Sequence, residues 1–185
     1  MDCCVSIRDN IVGFFGSFAT WVDASVFNLL LDAKVNVDVI GPHSHPQFNT
    51  LLRHPRFKYY GVLPHKQLVT IAHTWKCGLI PFIESNLTKC VDPVKFYEYN
   101  AMGLPVVATE LAEIQLIAAC MPIEAAPMLV PARHPVSFYR AVKKMMEEDS
   151  PEKRQARRLW ASQHSWYSRV HTMLKSVELD YWLED

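Results

Sequence analysis

Residues 77–109 read CGLIPFIESNLTKCVDPVKFYEYNAMGLPVVAT, and they hold a complete strand–loop–helix–strand unit. An apolar run at 77–81 stands ahead of a polar loop at 82–92. Pro93 then opens a helix, because a first helical turn has no use for the N–H that proline lacks. The helix covers 93–102 and stops at Gly103, the residue type that accepts a left-handed C-terminal turn. A second apolar run, 105–108, follows at once. Strand, helix and strand in this order predict a parallel pair joined by a crossover.

The same alternation extends in both directions. Upstream, Ile11–Phe15 is an apolar run ending in Gly16-Ser17, and 24–33 has helical spacing of Val26, Phe27, Leu30 and Leu31. Strands are predicted at 36–41 and 57–60, and a helix at 65–75 after Pro64. Downstream come a helix from Leu111, a last strand at 127–130, and helices at 135–148, 151–162 and 164–182. The expected fold is therefore α/β: a Rossmann-like parallel sheet of about six strands flanked by helices, closed by C-terminal helices. Ligands of such sheets bind beyond the carboxyl ends of the strands. The loops after Phe15, Gly41, Pro81 and Ala108 should then share one rim.

Composition narrows the function classes. The chain has 185 residues, enough for one domain with a real core, and is expected to form a single domain over 1–185. Lysine plus arginine equals aspartate plus glutamate at 19 each, so the basic excess of a general nucleic-acid binder is missing. Five cysteines without CxxC spacing argue against a zinc site or a disulfide framework and for a reducing, cytoplasmic setting. No stretch has the length of a membrane span, while five tryptophans leave peripheral association with the inner face of a membrane open.

Three loops are candidates for chemistry. At Gly16-Ser17 the backbone can approach an anion at a helix start, although a plain tight turn fits equally well. His43 and His45 form an HxH pair without a carboxylate or cysteine partner, so they are expected to be ordinary loop histidines, like His65 at its helix start. The third candidate is the loop 82–92 and the helix after it. Lys95 can face a diphosphate held at the helix start, and Glu98, three residues on, shares its face. A carboxylate there can accept hydrogen bonds from both hydroxyls of a ribose. An ordinary surface Lys–Glu pair is the bland alternative. The basic run around Lys153, Arg154, Arg157 and Arg158 is expected to be a solvated helix face.

The run DPVKFYEYNAMGLPVVAT, residues 92–109, resembles the signature of GT-B-fold glycosyltransferases of the GT4-like, bacterial polysaccharide type. VGFFGSFATWVD, VIGP, YYGVLPHKQL and IPFIESNLT resemble further elements of their C-terminal domain, in order. QHSWYSRVHTML resembles its closing helices. The resemblance implies a site for a nucleotide-sugar donor, expected to be a UDP-sugar. Glu98 would meet the ribose, Lys95 the diphosphate with Gly16 and Ser17, and Asn86 and Thr88 the sugar or phosphates. The backbone of residues 60–63 would meet the base. Retention at the anomeric carbon and independence of metal or other cofactor are also implied.

The sequence departs from that pattern in two places. Cys90 stands where many such enzymes carry a second glutamate, with Glu84 and Asp92 the nearest substitutes. The basic residues usual after the first strand are absent from 16–23. A GT-B enzyme also has an N-terminal acceptor domain, with its acceptor site and usually its catalytic base. That domain is expected to be absent from this chain or supplied by a separate subunit, leaving donor binding without transfer. The competing expectation is a non-catalytic nucleotide-binding or partner-binding module. An epimerase-type Rossmann enzyme is disfavoured by the missing GxGxxG.

Overall fold

The computed structural model describes residues 10–176. Its six strands are β1 Ile11–Phe15, β2 Asn36–Ile40, β3 Phe57–Tyr59, β4 Cys77–Ile80, β5 Val106–Thr109 and β6 Met128–Val130. All pair parallel, in the order β3-β2-β1-β4-β5-β6. This is the doubly wound arrangement, whose strand order reverses between β1 and β4. The helices are α1 Ala24–Asp32, α2 Phe48–Leu51, α3 His65–Ala72, α4 Val94–Met102, α5 Ala112–Ala119, α6 Pro135–Glu147, α7 Pro151–Gln163 and α8 Trp166–Ser176. The short α2 and a 3-10 turn at Thr88–Cys90 fall inside stretches that read as loop in the sequence. The expected continuation of the last helix to Trp182 lies outside the described residues.

β1, β4 and β5 are buried along their whole length, as strands covered on both faces must be. At the reversal point, direct pairing of β1 with β4 is limited to Val12–Cys77 and Gly13–Gly78. Beyond it, Tyr99 of α4 takes over the polar backbone groups. Its hydroxyl accepts from the Phe15 N–H at 3.3 Å and faces the carbonyls of Leu79 at 3.3 Å and Gly13 at 3.4 Å. Gly78 makes room for the ring, since a Cβ there would stand 2.7 Å from it. The Tyr99→Phe domain should lose about 1–3 kcal/mol, the cost of a buried N–H left without a partner. Urea unfolding with an unchanged m-value would show it as a lower midpoint.

The expected solvated face of the basic run is corrected by α7. Arg157 is 1% exposed and Trp160 5%. Arg157 Nε donates to the Gly103 carbonyl at 2.9 Å, and the rest of its guanidinium pairs with Asp149. Arg158 donates to the Met102 carbonyl at 3.2 Å. These arginines serve the unpaired carbonyls at the C-terminus of α4, a need that helical spacing alone does not reveal. By contrast α8 leaves Trp166, Tyr167 and Met173 more than half exposed. Among the described residues no helix is long and apolar enough to cross a membrane.

Candidate functional site at the reversal point of the sheet

The rim expected from the sequence forms at the carboxyl ends of β1, β2, β4 and β5. Gly16 (φ +108) and Gly41 (φ +129) turn the chain out of neighbouring strands, and they abut. A Cβ on Gly41 would lie 2.4 Å from the Gly16 carbonyl oxygen. The Gly16 N–H donates to Ile40 O at 2.8 Å. The loops after β1 and β4 are then knitted together. Ile83 N–H donates to Trp21 O, and Asp23 N–H to Pro81 O, each at 2.8 Å. Nothing in the sequence announces this antiparallel strap.

Lys95 lies in the first turn of α4 and reaches back to the end of β1. A Cβ on Gly16 would come within 3.0 Å of its Nζ, so the glycine leaves space for the ammonium. The Nζ sits 4.8 Å from the ring centroids of both Phe14 and Phe82. Such ring faces attract a cation but do not neutralise it. Among the described residues no carboxylate pairs with it. Burial pushes its pKa down to about 8, against the opposing field of Glu98. A partly desolvated cation at a helix start is unfavourable on each count, which makes the position a candidate for holding an anion.

Glu98 lies one turn further along. Its Oε1 is 3.5 Å from His65 Nε2 at the start of α3, and its side chain is 35% exposed. The two residues form part of the wall of a 530 Å³ pocket that also takes in Tyr97, Trp166 and Arg169. Ser17 is half-buried in the loop after Gly16, and Asn86 is exposed on the β4–α4 loop.

Thr88 has a different place from the donor-facing one expected of it. It is buried, and its hydroxyl donates to Ile83 O at 2.7 Å and accepts from Ser85 N–H at 2.8 Å. It braces the loop. Neither nearby carboxylate stands free to replace the glutamate missing at Cys90: Glu84 pairs with Lys89 at 3.1 Å, and Asp92 with Arg169 at 2.9 Å.

The HxH histidines serve packing. His43 stacks on Phe48 with centroids 3.9 Å apart, and His45 meets the Phe18 ring edge-on. Among the described residues no cluster of three metal-ligating side chains occurs. His65, expected to be an ordinary helix-start histidine, lies beside Glu98 on the pocket wall. Only the crossover from β3 to β4 brings the start of α3 to α4, so no local pattern marks it.

No family model matches the chain. It is 25% identical over 178 residues to the Bacillus subtilis (strain 168) protein named "Putative teichuronic acid biosynthesis glycosyltransferase TuaH". The match covers 91% of this chain and 43% of that protein, so the chain spans under half the length of this curated relative. Among solved structures, Anabaena Alr3699/HepE in complex with UDP superposes with a TM-score of 0.65 at 14% identity, over 92% of this chain and 48% of that one. The pneumococcal O-GlcNAc transferase GtfA, in complex with UDP and GlcNAc, gives 0.70 at 13% identity, over 96% of this chain and 37% of that one. TarM gives 0.70 at 13%, over 91% of this chain and 35% of that one. Strand order and superpositions agree that the chain has the fold of a domain of these GT-B glycosyltransferase structures, and its sequence is similar to part of a protein named as a glycosyltransferase of teichuronic acid biosynthesis.

Proposed function

We propose that this domain binds the nucleotide-sugar donor, a UDP-sugar, for a glycosyltransferase of polysaccharide or glycoconjugate synthesis. The observation that carries the reading is Lys95, a half-buried cation with no carboxylate partner among the described residues, held against the Gly16 turn at the reversal point of the sheet. A diphosphate placed there would supply the missing anion, with the backbone of Gly16 and Ser17 beside it. Glu98 lies within the same helix, where it can accept from the ribose hydroxyls. The UDP complexes of HepE and GtfA support the choice of nucleotide.

The chemistry of transfer suits this placement. As the bond from the anomeric carbon to the diphosphate breaks, negative charge gathers on the departing phosphate. In this reading Lys95 and N–H groups at the start of α4 stabilise it. The reading needs no metal, because the ammonium meets the charge. It does need an acceptor hydroxyl and a base, which this site does not provide and which we assign to a second domain or subunit. The reaction would take place in the cytoplasm, at the inner face of the membrane where the acceptor is lipid-linked.

Calorimetric titration with UDP, GDP and pyrophosphate tests the assignment. UDP should bind, and Glu98→Ala should weaken UDP by about tenfold or more while leaving pyrophosphate unchanged, since only the nucleoside meets the carboxylate. A well-folded domain that binds no nucleotide at all would refute the donor site.

A further inference from the structure

We infer that His65 is a positioning residue for the donor: it holds one oxygen of the Glu98 carboxylate and so turns the other toward the ribose diol. The inference rests on the donor reading above and adds to it a residue whose sequence neighbourhood gave no reason to single it out.

The two side chains come from different helices and meet at 3.5 Å, Nε2 to Oε1. Among the described residues no other ion pair to Glu98 is formed. Glu98 has 35% of its side chain open, and His65 69%. The segment before it is fixed to the sheet by Tyr60 N–H on Val39 O at 3.0 Å and by Gly41 N–H on Gly61 O at 2.8 Å. Tyr60 also donates through its hydroxyl to Asp38 at 3.1 Å. The chain leading into α3 is thus held to the sheet, and the His65–Glu98 contact joins the start of α3 to α4.

A glutamate on a helix surface has several rotatable bonds, and ordering it when ligand arrives costs conformational entropy. A carboxylate offers two oxygens and about four acceptor positions. If one oxygen is tethered before binding, that cost falls and the free oxygen has a defined direction. The present 3.5 Å separation is long for a direct hydrogen bond. Contacts of this kind commonly tighten once ligand displaces water from the site.

The alternative is that His65 only covers the flank of α4, in which case ligand binding would not register its loss. The experiment compares the wild type with His65→Ala, His65→Gln and Glu98→Ala, and with the His65→Ala/Glu98→Ala double variant. UDP and pyrophosphate are titrated calorimetrically into each, with a thermal melt as the folding check. His65→Ala should weaken UDP about fivefold, in the range of an exposed ion pair, and leave pyrophosphate affinity and melting temperature unchanged. His65→Gln, which keeps a donor, should recover most of the UDP affinity. In the Glu98→Ala background the His65→Ala change should have no further effect.

Unchanged or tighter UDP binding by His65→Ala overturns the positioning role, as does an equal loss in the background that lacks the carboxylate. Failure of the wild-type domain to bind UDP is a separate result, because it removes the donor site itself.

Discussion

Lys95→Met is expected to yield a domain that melts higher than the wild type and no longer holds UDP. The wild-type lysine is half-buried, its ammonium between two aromatic rings with no carboxylate partner among the described residues, and its pKa is lowered to about 8. Methionine fills a similar volume without charge. Removing the desolvation cost should add about 1–2 kcal/mol of stability, after allowance for the lost cation–ring attraction. Removing the partner of a diphosphate should weaken UDP by about a hundredfold or more.

The pH dependence gives this prediction a second edge. Between pH 8 and the ordinary lysine value of 10.5, the unfolded chain binds a proton that the folded domain does not. Stability carried by this group therefore rises with pH across that window and levels off above it. Nucleotide affinity should move the opposite way, since the diphosphate needs the charged form and binding must take up a proton above pH 8. Melting curves and titrations at pH 7, 8 and 9 would reveal opposite slopes in the wild type. The Lys95→Met difference should isolate the part due to this side chain. Equal melting temperatures and equal UDP affinities would remove Lys95 from the site.

The second large effect is structural. Asp149→Ala should destabilise the domain by about 3–5 kcal/mol, because it leaves the Arg157 guanidinium buried without its counter-charge. Folded domains are stable by only about 5–15 kcal/mol, so this change removes a large part of the margin. Arg154 loses its partner as well, at 2.6 Å in the wild type. Asp149→Asn keeps the shape and some of the hydrogen bonding, and should fall between the two. Urea denaturation measures the series, and a midpoint for Asp149→Ala close to the wild-type value would contradict the assigned role.

The fold was legible in residues 77–109 because their local signals agree. Pro93 and Gly103 bracket α4, and the apolar runs on either side are too short for helices and too apolar for an exposed strand. All six strands lie where apolar runs meet turn residues. The candidate site was legible only where one helix carries it: Lys95 and Glu98 fall on α4, where a single pattern spaces them. Thr88 misled because a polar residue in a loop reads the same whether its hydroxyl faces a ligand or the loop's own backbone. Arg157 misled for the converse reason. Its charge suggests solvent, but the carbonyls at the end of α4 are acceptors that no linear pattern displays. His65 required the start of α3 to meet α4, which only the completed sheet arranges.

The strap that joins residues 21–23 to residues 81–83 bears on how this domain can acquire new specificity. Loops at the rim of such sheets commonly change by insertion and deletion, each independently of its neighbour. Here two of them share backbone hydrogen bonds, so lengthening either would break the other's pairing. Innovation in ligand choice is thereby channelled into side-chain replacement at a few points on a stiff frame, and the same stiffness means that a ligand arrives at a surface whose shape is largely settled beforehand.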